Sequence, residues 1–270
     1  MLSLLCALTV TVPASFVDAP KLTVVISIDQ FRRDYITRFS DLYLPPTSRD
    51  GVGGFRWLAE RGAQFVNSAY THIPTETGPG HAIIGTGSDP SKTGIVGNEW
   101  YDRATGTTIY CVADPDTKDI FTGQASYSPK NLQVSTFMDE IEKVTGGLAR
   151  TASVSFKDRA AILMAGRIPD DIVWFDTTGG NWTTSDFYER SLPAWAAAIN
   201  AQKLPDAYKG KSWEKALSPE IHKRALIPDK PGMPESFGKT FPHPLVEGTS
   251  FYTNWQRTPW GNEFVLNSAF

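Results

Sequence analysis

Two short strand-like runs, each closed by charged residues, constrain this chain more than anything else in it. Lys21 to Ile28, KLTVVISI, is β-branched and almost continuously apolar, and Asp29 ends it. Thr151 to Phe156, TASVSF, ends at Lys157-Asp158-Arg159, and AAILMAG follows with the composition of a helix. A near-continuous apolar run is the pattern of a strand buried on both faces, in a parallel or mixed sheet covered by helices. The fold class read from this is α/β: a sandwich with a central mixed sheet flanked by helices, led by Lys21–Ile28 and joined by Thr151–Phe156. Charges placed where such strands end lie at the carboxyl edge of the sheet, where open α/β folds put their ligands. Asp29 is then either a metal ligand or an acid that starts a loop. Lys157 and Arg159 are either a grip for an anion or solvated charges at a helix start. Arg can take two oxygens in its planar fork and Lys adds a point charge. Cations at a helix start oppose the helix dipole, which slightly disfavours a purely structural role.

Between these runs lies Thr71 to Trp100, THIPTETGPGHAIIGTGSDPSKTGIVGNEW. Thr is a good N-cap and Pro is tolerated in a first helical turn, so Thr77 is expected at the mouth of a helix. Unpaired backbone N–H groups and the positive dipole end would lie beside its hydroxyl, a site for a phosphate-like anion. Thr77 is therefore either a cap or a nucleophile held at an anion site. Asn98 follows Gly97, where the backbone can approach a ligand closely and an amide can donate to an oxygen; a turn asparagine is the alternative.

The remaining pattern is local. Phe55, Leu58 and Ala59 fall at helical spacing and Gly62 suits a C-terminal cap. Gln64 to Ala69 reads as a short strand. EWYDRATGTTIYCV reads as two strands around a turn at Arg103–Gly106, a hairpin flanking the site rather than part of it. Asn131 to Val144 has helical spacing, Ile172 to Phe175 reads as a strand, and Ser191 to Ala201 as a helix. The stretch from Pro259 to Leu266 reads as a helix start. Segments near 100–130 and 180–255 are expected to be caps or insertions within one catalytic domain spanning residues 20–270.

The 270 residues are 41% hydrophobic and 20% charged, which suits a sizeable core. A net charge of −3 argues against a broad nucleic-acid surface. Met1 to Ala19 is apolar with small residues at its end, as in a secretory signal peptide, though it lacks a basic start. No later run is long and apolar enough to span a bilayer. With that leader removed, only Cys111 of the two cysteines remains, so no internal disulfide is possible. An exported chain without disulfides suits a bacterial periplasm, or secretion, better than a small stapled extracellular module.

Taken in order, ISIDQFRRDY, PTETGPGHA, TGIVGNEW and SFKDRAAILMAG resemble the alkaline phosphatase superfamily, in particular the bacterial single-chain enzymes with a threonine nucleophile, relatives of the type I phosphodiesterases. The resemblance covers nearly the whole chain after residue 20. It implies Thr77 as the nucleophile that becomes phosphothreonine. It implies Asp29 and Thr77 as ligands of zinc, and Asn98, Lys157 and Arg159 as the groups that hold the phosphate oxygens. The Lys/Arg pair suits a dianionic monoester better than a diester. The activity implied is a zinc-dependent phosphate monoester hydrolase. A phosphodiesterase or nucleotide pyrophosphatase of the same superfamily, or an inactive fragment, are the alternatives.

The family binds two zinc ions with further ligands in a D-x-x-x-H segment, an Asp-His pair and a late His. The four histidines here, His72, His81, His222 and His243, have Ser68, Thr77, Ser218 and Lys239 four positions before them, and none follows an Asp. Two protein oxygens fall short of the four ligands zinc usually takes. The chain therefore resembles the N-terminal part of such an enzyme, incomplete at its C-terminus and expected to be inactive alone.

Overall fold

The computed structural model describes residues 20–46, 53–224, 238 and 240–269. The leader reading of Met1–Ala19 and part of the 180–255 segment fall outside them. The chain divides into two compact units, Met1–Val66 and Asn67–Phe270.

Among its described residues the first unit has the α-helices α1 (Asp34–Arg38) and α2 (Gly54–Arg61), neither of which buries a residue. Gly62 follows α2 and returns its N–H to Leu58 O. Phe31 stacks on Phe55 with centroids 5.1 Å apart, and Tyr43 lies 5.0 Å from the same ring. The Tyr43 hydroxyl donates to Tyr35 O at 2.7 Å. Lys21–Ile28 does not form the expected strand, and it enters no ladder among the described residues. An extended run becomes a strand only when a neighbour takes up its backbone groups. Without one, Leu22, Val25 and Ile26 are 75%, 53% and 59% exposed. Asp29 consequently sits in an exposed turn and not at a strand's end. Gln64–Ala69 likewise forms no strand.

The second unit begins with α3 (Thr77–Thr86) and the short α4 (Pro90–Thr93). The hairpin of β1 (Glu99–Asp102) and β2 (Thr107–Tyr110) turns where the sequence places it. A second antiparallel pair follows, β3 (Ala113–Lys118) with β4 (Ala125–Tyr127). Helix α5 (Phe137–Thr145) starts later than its apolar spacing suggests, because Thr136 and Asp139 form a capping box there. Next come β5 (Ala152–Ser155), α6 (Asp158–Ala165), β6 (Asp171–Asp176) and β7 (Asn181–Thr183). β6 pairs parallel with β5 and antiparallel with β7, giving a mixed three-stranded sheet. Then follow α7 (Ala194–Gln202), the two-residue strand β8 (Ser212–Trp213), α8 (Pro219–His222), β9 (His243–Pro244), α9 (Phe251–Trp255) and α10 (Pro259–Ala269).

The strand β6 shows why its sequence is apolar without a break. Ile172 and Trp174 point into a core shared with Ala82, Ile95, Cys111, Leu132 and the inner face of α6. Val173 and Phe175 point the other way, into Trp182, Trp255, Phe251 and Phe264. The period of two thus separates two cores, one on each face of the sheet. Gly85 lets α3 press onto α6: a Cβ there would lie 2.5 Å from Leu163 O and 2.8 Å from Met164 Cα. The fold class read from the sequence, α/β with a mixed sheet and flanking helices, is the one observed.

Candidate functional site

At the start of α3 the chain departs from the expected cap by one residue. Glu76, extended at φ −97° and ψ 166°, is the N-cap, and Thr77 is the first helical residue. The Glu76 side chain does not cap the helix. Its Oε2 accepts the Asn98 N–H at 2.6 Å. Asn98 answers with its Oδ1, which accepts the Gly78 N–H at 2.7 Å, while its carbonyl accepts the Cys111 N–H at 2.9 Å. Three bonds therefore fix Asn98, and its amide is oriented with the NH2 end left as the donor. The helix mouth offers fewer backbone donors than the sequence suggests, because Gly78 N–H is already used and Pro79 has none. The gap is also tight. A Cβ on Gly78 would lie 3.2 Å from Asn98 Oδ1, Cys111 Sγ and Gly97 O.

Behind Thr77, His81 Nδ1 lies 2.8 Å from Thr77 O. A carbonyl only accepts, so this nitrogen carries the proton and His81 is a satisfied, buried residue at 6% exposure. Cys111 is buried as well, and burial pushes its thiol up to about 12, which makes it inert as a nucleophile.

Lys157 is the N-cap of α6, is exposed, and donates its backbone N–H to Ser155 Oγ at 3.2 Å. Arg159, two residues on, is half-buried. Its Nη1 donates to the Tyr110 hydroxyl at 3.0 Å. That hydroxyl in turn donates to Asp158 Oδ1 at 2.5 Å, and the same carboxylate oxygen accepts the Arg159 N–H at 2.5 Å. Burial is the largest single influence on Arg159 and works against its charge, but the bond to Tyr110 and the neighbouring Tyr110, Asp158 and Cys111 groups together outweigh it, and the group is held more firmly as a cation. Burial, and then the Asp158 charge, push the Tyr110 phenol far up, so it is a neutral donor at every working pH.

Thr77–Gly78 and Asn98 are thus in direct contact. Arg159 is joined to the same neighbourhood through Tyr110, whose successor Cys111 packs under Gly78. Asp29 belongs to the first unit. Glu76, Tyr110 and Asp158 were not singled out from the sequence. Asp158 stands between two cations and could have been. Tyr110 lies 49 positions before Arg159 with no local signal, and the hairpin read as flanking the site in fact touches it.

Among the described residues, no group of three or more His, Cys, Asp or Glu side chains could hold a metal ion. The residues described do not fit a zinc centre, which needs about four ligands.

Residues 23–227 match the family described as type I phosphodiesterase / nucleotide pyrophosphatase. Alkaline phosphatase PhoV of Synechococcus elongatus is 36% identical over 94% of this chain and 46% of its own. Alkaline phosphatase PafA of Elizabethkingia meningoseptica is 37% identical over 74% of this chain and 36% of its own. A protein of Myroides odoratus named calcium-transporting ATPase is 33% identical over 93% of this chain and 46% of its own. The chain spans about half the length, or less, of these curated relatives. A crystal structure of wild-type PafA superposes with a TM-score of 0.76 at 31% identity, covering 89% of this chain and 47% of that one. A second PafA structure, with a TM-score of 0.74 at 29% identity over 90% of this chain and 47% of that one, carries one threonine changed to serine and an asparagine, a lysine and an arginine changed to alanine.

Proposed function

Since this chain belongs to the type I phosphodiesterase / nucleotide pyrophosphatase family, we propose that it carries the nucleophile and phosphate grip of an alkaline-phosphatase-type phosphate monoester hydrolase. One observation supports this most. The four residues altered together in the PafA variant are a threonine, an asparagine, a lysine and an arginine. In PafA the first two are spaced along the chain as Thr77 and Asn98 are here, and the last two as Lys157 and Arg159 are.

In this reading Thr77 Oγ attacks phosphorus. The new Oγ–P bond forms as the ester P–O bond breaks, and the alcohol leaves with a proton. Water then cleaves the phosphothreonine, so that ester and water become alcohol and phosphate. The Asn98 amide and the Lys157 and Arg159 cations take the non-bridging oxygens, whose two negative charges in a monoester call for two cations. Zinc chemistry is proposed only for a protein of the relatives' length. The described residues of this chain do not supply a zinc centre. The 270-residue chain alone is proposed to be inactive, its Thr77 an ordinary alcohol. Export to the periplasm or beyond is proposed from the leader and would be checked by the N-terminus of the mature protein.

The test uses the full-length protein with an activated monoester and its diester analogue. Thr77→Ala should lower monoester turnover by about four orders of magnitude or more. Lys157→Ala and Arg159→Ala should each cost about 100- to 1,000-fold on the monoester and much less on the diester. Equal losses on both substrates would favour the second reading, a diesterase or nucleotide pyrophosphatase, which the family's description supports. Phosphate binding without turnover would leave a binding module.

A further inference from the structure

Arg159 sits in a closed ring of hydrogen bonds: its N–H donates to Asp158 Oδ1, the Tyr110 hydroxyl donates to the same oxygen, and Arg159 Nη1 donates to that hydroxyl. We propose that Tyr110 is the positioning residue of Arg159, aiming its guanidinium at the phosphate oxygens from a fixed point on the β1–β2 hairpin. This rests on the reading of Arg159 as a phosphate-binding group.

The direction of each bond is determined. The phenol has one hydrogen, and the Asp158 carboxylate, which only accepts, takes it. The phenol oxygen then has only lone pairs to offer, and they face the guanidinium. A guanidinium is a rigid plane, so holding one Nη fixes where the other points. Among the described residues Arg159 Nε is sheltered and has no partner, so the bond to Tyr110 is the one that sets the plane.

Tyr110 is itself held from several elements. It pairs with Glu99 in the hairpin register. Its ring meets Tyr127 edge-on at 5.6 Å, and Tyr127 meets Trp174 of β6 at 6.2 Å. Asn131 Nδ2 donates to the carbonyl of Cys111 at 3.2 Å, just after it. The arginine is therefore anchored to the sheet core through two aromatic contacts, as well as to Asp158 at the start of α6.

The test is a double-mutant cycle in the full-length protein. Tyr110→Phe keeps the ring, including its 5.9 Å approach to the guanidinium, and removes only the oxygen. It should lower monoester kcat/KM by about 10- to 100-fold, the value of a hydrogen bond to a charged group, and leave the diester almost unchanged. Combined with Arg159→Ala it should add nothing, because its effect passes through that arginine. Losses that multiply, or that fall equally on both substrates, or no loss at all, overturn the positioning role while leaving the site reading intact. An Arg159→Ala protein as active as wild type overturns the site reading, and the positioning role with it. Thermal melting checks the fold of each variant. If Tyr110→Phe melts early, Asp158→Asn, which weakens the acceptor of the phenol, must show the same non-additivity with Arg159→Ala.

Discussion

Two apolar runs of similar composition have opposite fates in this chain. Asp171–Asp176, DIVWFD, lies between β5 and β7 and buries Ile172, Val173, Trp174 and Phe175 at 5% exposure or less. Lys21–Ile28 in the first unit enters no ladder among the described residues, and Leu22, Val24, Val25, Ile26 and Ile28 are each 48% exposed or more. Both runs carry β-branched residues, and Asp171–Asp176 adds the aromatics Trp174 and Phe175. The difference is relational. β6 has a strand on each side and a packed helix over each face, whereas the earlier run joins no ladder among the described residues. β-Propensity measures how well a residue fits a pleated, covered surface, and it expresses nothing where that surface is missing.

The sharpest test of the contrast uses the same residue in both places. Trp182 is fully buried, stacks on Phe264 at 5.1 Å, and donates its Nε1–H to Ser268 Oγ at 3.1 Å. Its own N–H and carbonyl are clasped by the Asn200 amide, each at 2.8 Å. Trp182→Ala should cost about 3–5 kcal/mol, the usual range for emptying an aromatic site in a core. Trp57 on α2 is 44% exposed, and Trp57→Ala should cost under about 1 kcal/mol. Chemical denaturation of the two variants measures both. Similar losses would show that the first unit buries its tryptophan as firmly as the second.

A smaller pair tests the two runs themselves. Val173 is 0% exposed and Val25 is 53% exposed. Val173→Ala removes buried methyl groups and leaves a cavity, at about 2–3 kcal/mol, while Val25→Ala should stay within about 0.5 kcal/mol. Amide hydrogen exchange gives an independent measure, with slow exchange expected over residues 172–175 and fast exchange over 21–28. Slow exchange over 21–28 would mean that a backbone partner covers that run in solution.

What the sequence made legible follows the same division. The β1–β2 hairpin could be read because its turn is local and ends in Gly106, at φ 69°. β6, α6 and α10 could be read because periodicity and stop signals lie within a few residues of one another. The lateness of α5 could also have been read, since Thr136 and Asp139 are spaced as a capping box and the apolar spacing upstream concealed it. What could not be read depends on distant partners. Whether Lys21–Ile28 is a strand depends on a neighbour, not on its composition. That Glu76 caps nothing and instead holds the backbone of Asn98, 22 residues on, has no local sign. The bond from Gly78 to Asn98, which removes a donor from the helix mouth, is of the same kind. Thr77, Asn98, Lys157 and Arg159 stand in recognisable sequence motifs, whereas the ring of hydrogen bonds around Arg159 has no local sign.

Helix starts extend the comparison to its smallest measurable term. In the first unit α1 begins at Arg33 with no side-chain cap. In the second, α5 begins with Thr136, whose Oγ1 accepts the Asp139 N–H at 3.1 Å, while Asp139 Oδ2 accepts the Thr136 N–H at 3.0 Å. The Thr136 hydroxyl also donates to Ala165 O at 2.9 Å, tying α5 to the end of α6. Thr136 is 0% exposed, so removing its hydroxyl leaves the Asp139 N–H and the Ala165 carbonyl short of a partner where little water can reach. Thr136→Ala should therefore cost about 1–2 kcal/mol, at the upper end for a lost cap. Thr136→Ser keeps both bonds and loses one methyl group, so it should retain at least half of that stability. Arg33→Ala, with no cap to lose, should lie within about 0.5 kcal/mol of wild type. Denaturant midpoints at constant slope separate the three. A Thr136→Ala cost no larger than that of Arg33→Ala would mean that the capping box contributes nothing, and that the second unit differs from the first in core burial alone.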